Sequence, residues 1–343
     1  MKFHTSREKA LEALEIFVNN DIVNYSSKRN YDFGPSNRKN VSCLSPYISH
    51  RLINEYEISK KILSKHPYQT VEKYIQEIYW RVYWKGWLEL RPKVWSDFTE
   101  DLNTIEESEN YKLAINGQTK IKFFNDWVEE IKEYNYLHNH TRMWFASIWI
   151  FTLGLPWQKG AEFFMKYLLD GDAASNTLSW RWVGGLQTKG KHYLAQSWNI
   201  SKFLNKQYKN VEIIENALPL IDNREYKISP IEIQKSIIRN DYLIVFENDL
   251  SLKNLKKKDY KKIYFILLDN EHRSLKLDSK VLTYKKKIMK NQLNIANNNF
   301  ELIDENKMQE LSKSLKNFDI VYPSIGENMS FLNKMVKEKK LII

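Results

Sequence analysis

Apolar residues recur at helical spacing through the first part of the chain and at strand spacing towards its end. Residues 6–20, SREKALEALEIFVNN, set Leu11, Leu14, Ile16 and Phe17 near one face of a helix, with Ser6 as its N-cap and an Asn pair as its stop. Residues 70–90, TVEKYIQEIYWRVYWKGWLEL, predict a longer helix on which Glu77, Trp80, Arg81 and Trp84 fall at i, i+3, i+4 and i+7. Residues 124–137 predict another helix, leading into His138. Beyond it, Asn139, Arg142 and Met143 share a helical face. Met143 to Trp157 carries no charge, a run too short to cross a membrane and suited to a core helix. The polar stretches 24–40 and 91–116 read as loops.

The pattern changes in the last hundred or so positions. Apolar runs at 242–246 (YLIVF), 263–268 (IYFILL), 318–322 (FDIVY) and 341–343 (LII), with a weaker one at 300–303, alternate with helical stretches 280–297, 305–317 and 328–338. Buried apolar strands alternating with helices predict a parallel, doubly wound sheet. No GxGxxG or GKS phosphate loop accompanies it. Composition changes at the same place. All eleven tryptophans lie between Trp80 and Trp198, and only Gly326 of the ten glycines follows residue 200. A boundary is therefore expected within 205–240, where Pro219 and Pro230 stand. The expected architecture is multi-domain: an all-α domain over 1–210, a linker over 211–240, and a small doubly wound α/β (Rossmann-like) domain over 241–343.

Bulk properties narrow the partners. A chain of 343 residues can build two cores. A formal charge of +11 favours a polyanionic partner, nucleic acid first. One cysteine, Cys43, precludes an internal disulfide and fits a reducing compartment. The N-terminus MKFHTSREKALEALEIF places charges where a signal peptide needs an apolar centre, so the reading is of a soluble cytoplasmic protein with no membrane partner. The lysine runs at 256–258 and 285–287 read as solvated faces.

The candidate chemistry is concentrated between His138 and Trp182. Asp170, Asp172, Ser175 and Asn176 of DGDAASN, with Trp180 and Trp182 behind them, put carboxylates, an amide and indoles beside an uncharged helix. That mixture suits a large, flat, polar-edged ligand; a helical core with a capped loop uses the same residues. In SCLSPYI, Ser42 and Ser45 at a helix start suit a phosphate, because the first N–H groups of a helix are unpaired, or they simply cap the helix. His138 and His140 are not read as metal ligands: i and i+2 face different ways, and no cysteine cluster or spaced carboxylate accompanies them. Glu77 and Arg81 are unusual within an aromatic stripe, since charges enter apolar surroundings only when paired.

Three motifs in order, SCLSPYI at 42–48, EIYWRVYW at 77–84 and HNxxRM…LLDGDxxSNxxxWRW from His138, resemble the flavin-binding domain of the DNA photolyase and cryptochrome superfamily over roughly residues 20–205. The resemblance implies non-covalent FAD held by Tyr25, Ser42, Leu44, Ser45, Arg142, Asp170, Asp172 and Asn176, with Arg142 paired to Asp170 and Asn176 facing flavin N5. It implies Glu77, Asn139 and Met143 as catalytic residues of a cavity that takes damaged DNA, together with Trp80, Arg81, His140 and Trp182. It implies Trp180 and Trp157 as the first two members of an electron relay whose third position falls near Thr104, in a segment without tryptophan. Trp144, Trp149 or a tyrosine are the candidates for that missing member.

The chain departs from the family at Val41 and Cys43, where Thr and Arg are usual, and at Lys122, Asn125 and Asn135, near which Pro, Asp and Gly are usual. His140 stands where photolyases often carry a DNA-contacting Arg. LIVFENDLSLKN at 243–254 resembles the opening of the photolyase antenna domain, here placed after the flavin domain, and leaves any antenna pigment unspecified. The implied activity is light-driven repair of cyclobutane pyrimidine dimers in single- or double-stranded DNA; the alternative is a cryptochrome-type blue-light photoreceptor without repair.

Overall fold

The computed structural model describes residues 2–204, 208, 212–231, 240–251, 260–295, 300–315 and 317–338. Helix α1 (Arg7–Asn20) starts as expected at Ser6, whose hydroxyl accepts from the Lys9 amide. Short turns of helix follow at α2 (Tyr25–Lys28), inside the stretch read as a loop, and at α3 (Ser45–Ile48). Next comes α4 (Glu55–Leu63), closed by a reciprocal Asn54–Glu57 capping box. The long α5 (Tyr68–Glu89) carries the aromatic stripe.

The expectation of a loop over 91–116 is corrected. Two helices stand there, α6 (Pro92–Leu102) and α7 (Glu109–Ile115). Pro92 starts α6 rather than breaking it, because a first-turn residue needs no amide hydrogen. Val94, Trp95 and Phe98 then bury one face, and Ser108 caps α7.

Helix α8 (Lys122–Tyr134) ends on Asn135 at φ 55°, a left-handed position that asparagine tolerates. Helix α9 (Asn139–Ser147) continues into a π-helical turn at 148–152, and α10 (Trp157–Tyr167), α11 (Ala173–Val183) and α12 (Ser197–Phe203) complete the helical part.

Four strands follow: β1 (Tyr242–Phe246), β2 (Lys262–Ile266), β3 (Phe300–Ile303) and β4 (Asp319–Ile320). They form one parallel sheet in the order β3-β2-β1-β4, the doubly wound arrangement. Leu243, Val245, Ile263 and Phe265 face one hydrophobic cluster with α13 (Ser279–Ile295). Ile244, Phe246, Tyr264 and Ile266 face another with α14 (Glu305–Ser314) and α15 (Glu327–Lys337). This two-residue alternation gives helices on both faces. The expected strand over 318–322 shrinks to two residues, and the one at 341–343, like the lysine run at 256–258, lies outside the described residues.

Two findings bear on organisation. The cluster on the first sheet face also contains Leu14, Phe17, Ile48, Ile58 and Tyr74 of the helical part, so one core is shared between them. The described part of the stretch read as a linker, 212–231, is irregular but fastened to the helices. The Leu220 amide donates to Gly184 O (2.9 Å), Ser229 to Leu90 O (2.8 Å), and Arg224 forks onto Asp101 at 3.0 Å. No described helix is long and apolar enough to cross a membrane.

Candidate functional site

One cavity of about 720 Å³ opens between α5, α9 and α11 and is closed below by the serine motif before α3. Its lining gathers residues from separate segments of the chain. Tyr25, Ser42, Leu44, Ser45, Glu77, Trp80, Arg81, Asn139, Arg142, Met143, Asp170, Asp172, Asn176, Trp180 and Trp182 all border it. The i, i+3, i+4 spacing on α9 thus turns Asn139, Arg142 and Met143 to the same space.

The floor is ionic and paired. Asp170, 4% exposed, accepts from Arg142 Nη2 at 2.9 Å and from the Ser45 hydroxyl at 2.5 Å, both through Oδ2. Burial pushes its carboxyl up, but Arg142 and Arg81 beside it hold it below the ordinary carboxylate range. Asp172 caps α11 by accepting from the Ser175 amide (2.8 Å) and lies 3.4 Å from Lys85. Burial raises its pKa as well, yet Lys85, Arg81 and the Ser175 amide bring it down to about 2. Asn176 donates through Nδ2 to Ala161 O (2.8 Å), which fixes the orientation of its amide. Gly160 lies flat against the Trp180 ring, and a Cβ there would come within 2.2 Å of it.

The serine motif differs from a plain cap. The first turn of α3 begins at Leu44 with no side-chain cap; Ser42 accepts from the Leu44 amide (3.4 Å), and Ser45 turns to Asp170. Cys43 between them adopts φ 52°, a region rarely used by a residue with a side chain, and burial pushes its thiol up to about 11.

Two placements correct the expectations, those of His140 and Glu77. His140 does not reach the cavity. It is 8% exposed on the opposite side of α9, its Nδ1 2.9 Å from Asn30 O and its ring 4.2 Å from Trp144, because it stands one residue from the cavity-facing Asn139. Glu77 borders the cavity but does not face apolar neighbours: the Tyr25 hydroxyl donates to it, Arg29 Nε lies at 2.9 Å and Lys73 at 3.6 Å. Trp157 lies behind the cavity, stacked on Phe98 at 5.3 Å.

Residues not expected in the lining include Lys73, Tyr74, Lys85, Tyr136 and Tyr83. Of these, Tyr83 was legible from its place on the α5 stripe. Tyr136, whose ring lies 5.2 Å from the Arg142 guanidinium, was not.

The lining fits the flavin dinucleotide that the motifs imply. Asp170 Oδ1 and Arg81 Nη1 are buried polar atoms with no protein partner, an acceptor and a donor held ready for a ligand. The volume, the apolar walls and the few convergent polar groups suit a large ligand. Ser42 and Ser45 would meet its phosphates, and Arg142, Asp170, Asp172 and Asn176 its polar ring edge.

Comparison with known proteins gives the same answer. The family model for the FAD binding domain of DNA photolyase matches residues 74–264, more than half of the chain. The deoxyribodipyrimidine photo-lyase of Agrobacterium fabrum is 28% identical over 183 residues, 51% of this chain and 37% of that protein. That of Buchnera aphidicola subsp. Baizongia pistaciae is 27% identical over 241 residues, 64% of this chain and 50% of that protein. The chain thus spans half or less of the length of these relatives.

Among solved structures, a bacterial class III photolyase from Agrobacterium tumefaciens aligns with a TM-score of 0.50 at 24% identity, covering 58% of this chain and 42% of that one. A Synechocystis sp. PCC6803 cryptochrome aligns with a TM-score of 0.53 at 19% identity, covering 59% and 44%. Both share the fold. A paired ionic floor, an aromatic wall and a matching family model lead to one assignment: the chain belongs to the family of the FAD-binding domain of DNA photolyase.

Proposed function

We propose that this protein carries out light-driven, FAD-dependent repair of cyclobutane pyrimidine dimers in DNA. The carrying observation is that one cavity joins a buried ionic floor, Asp170 with Arg142, to a rim of exposed aromatic rings, with Trp80 and Tyr83 at 51% and 53% exposure. A reduced flavin held by Ser42, Ser45, Arg142, Asp170, Asp172 and Asn176 would supply the one-electron chemistry that such a reversal needs. The chain's own residues bind and orient. Arg142 neutralises Asp170, so the floor accepts the ring edge without adding a net charge. The fixed Asn176 amide presents one polar edge to the ligand.

Trp80 and Trp182 flank the space an unstacked base would occupy, and base–aromatic stacking is worth roughly 1–3 kcal/mol per base. A damaged pair flips out at a cost of only a few kcal/mol. The basic balance of the chain favours phosphate contacts that carry no sequence preference. The names of the relatives support the reading. In the same proposal, residues 1–210 form the flavin unit and 241–343 an appended α/β unit, joined by 211–240; the four-stranded parallel sheet that the later stretch builds supports this division.

One observation favours the second reading, a cryptochrome-type blue-light photoreceptor. Glu77 is already engaged by Tyr25, Arg29 and Lys73 rather than free for a pyrimidine edge. The test is restoration of dimer-containing oligonucleotides, single- and double-stranded, by fully reduced protein under blue light. Restoration is expected. Its absence from protein that holds photoreducible FAD transfers the assignment to the photoreceptor.

A further inference from the structure

We propose that Asp269, His272 and Glu305 form a zinc site at the edge of the sheet, one that clips the turn after β2 to the start of α14. The site lies outside the flavin cavity and does not depend on how that cavity is read. Strands β2 and β3 run parallel, so the segments that leave their C-terminal ends emerge on one edge. Asp269 and His272 follow β2, and Glu305, the first residue of α14, follows β3. One ligand atom from each of the three lies within 4.8 Å of the others. His272 Nδ1 is 3.1 Å from Asp269 Oδ1 and 3.8 Å from Glu305 Oε2.

The charges call for a cation. The Glu305 side chain is 2% exposed. Its Oε1 accepts from the Asp269 amide at 2.5 Å, and its Oε2 has no hydrogen-bond donor among the described residues. The buried carboxylates of Asp32, Asp170 and Glu247 each meet an arginine: Arg38, Arg142 and Arg273. Among the described residues Glu305 meets His272 alone, and no Lys or Arg there stands within ion-pair distance of it or of Asp269. A buried carboxylate without a counter-charge is costly, and a second carboxylate beside it adds to the cost. A dication offsets both, with the neutral imidazole as third ligand.

The donor set selects the metal. An imidazole nitrogen with two carboxylate oxygens suits zinc, whereas calcium and magnesium take oxygen ligands. Bonds of about 2.0–2.1 Å to a tetrahedral ion set ligand atoms roughly 3.3 Å apart, near the spacing that His272 already has with both carboxylates. Three protein ligands leave a fourth position for water, on the side where Asp269 and His272 are 54% and 27% exposed. The His272 ring is steadied edge-on by Phe331 of α15, 6.2 Å away. The clipped turn also carries buried contacts on its inner side. Arg273 donates to Glu247 at 2.6 Å, and Glu327 accepts from the Ser274 and Leu275 amides at 3.0 and 2.9 Å. Zinc thus steadies the joint between β2, α14 and α15.

The test uses the full chain, stripped with EDTA and titrated with zinc sulfate, read by calorimetry and by thermal unfolding. One zinc per chain is expected, with the unfolding midpoint rising by several degrees at about a hundredfold excess over Kd. X-ray absorption at the zinc edge is expected to show nitrogen and oxygen at about 2.0–2.1 Å, and sulfur in that shell overturns the site. His272→Gln and Glu305→Gln keep hydrogen-bonding groups at both positions and remove a ligand. Changes behind metal ligands already cost about 10–100-fold in affinity, so each variant should weaken zinc by on the order of a hundredfold. His4→Gln, away from the cluster, should leave the affinity unchanged. His272→Gln alters a partly exposed side chain, so the test stands even if Glu305→Gln folds poorly. Zinc bound as tightly by His272→Gln as by wild type overturns the site, and so does a wild-type midpoint that zinc does not raise.

Discussion

The floor and the mouth of the cavity are built on opposite terms. On the floor, Asp170 and Trp180 are 4% and 2% exposed, and Asp170 and Asp172 each have a counter-charge, Arg142 and Lys85. At the mouth, Trp80 and Tyr83 are half exposed and contact chiefly each other and Trp84. The floor was organised during folding and is ready for a ligand of fixed shape. The mouth keeps apolar rings in water, which costs stability unless a partner covers them. Mutations should therefore separate cleanly: floor changes damage both the fold and flavin binding, and mouth changes damage only the encounter with DNA.

The largest effect is expected on the floor. Asp170→Ala leaves Arg142 without its partner beside a buried site, a change that costs on the order of 3 kcal/mol. Urea unfolding should show that loss, and FAD titration should show retention falling with it. Asp170→Asn should keep the Ser45 contact and recover part of the stability. Unchanged unfolding in Asp170→Ala would break the contrast drawn above.

Next is the dependence on pH, which probes how the floor is anchored to the sheet. His50 lies between Pro46 O at 2.8 Å and Lys285 Nζ at 3.1 Å, linking the serine motif to α13. Burial, then Lys285, push its imidazole down from 6.5 to about 3. Because the folded value lies below the unfolded one, the unfolded chain takes up a proton that the native state refuses. Stability from neutral His50 is thus complete above about 6.5 and drains away as pH falls towards about 3. His138, brought down to about 4 chiefly by burial, acts with the same sign. Unfolding midpoints should fall as the solution is acidified from neutrality, and His50→Gln should flatten that slope. A slope that stays the same in the variant would show that His50 is not the anchor.

The smallest effect on stability belongs to the mouth. Trp80→Ala should move the unfolding free energy by no more than about 0.5 kcal/mol. The same change should weaken binding of a dimer-containing oligonucleotide by roughly 1–3 kcal/mol, with FAD retained. Fluorescence anisotropy measures it, and equal binding by variant and wild type would remove Trp80 from the DNA surface.

Much of this architecture was legible in the chain. The α5 stripe, the α9 face and the DGDAASN turn each gave the right residues to one cavity, because helical spacing alone decides which side chains share a face. The strands β1 and β3 were legible as apolar runs between helical stretches. What was hidden is what spacing does not encode. His140 was misplaced by carrying over a family position, although its spacing of one residue from Asn139 already turned it to another side of α9. The partners of Glu77, Tyr25 and Arg29, stand 52 and 48 positions away in sequence, and only the fold joins them. Helices α6 and α7 were lost to a polar surface that concealed the apolar face of Val94, Trp95 and Phe98. The two-residue β4 offers too little pattern to place it beside β1.

The central claim is that this single cavity is a flavin dinucleotide site whose ionic floor and serine motif close around the pyrophosphate end. The most direct measurement is the absorption spectrum of purified protein, with flavin released and counted against chain, followed by reconstitution with FAD or with FMN. The account predicts one FAD per chain, held non-covalently, and poor retention of FMN because half of the site would stay empty. Colourless protein that FAD does not reconstitute, or FMN bound as tightly as FAD, would contradict it.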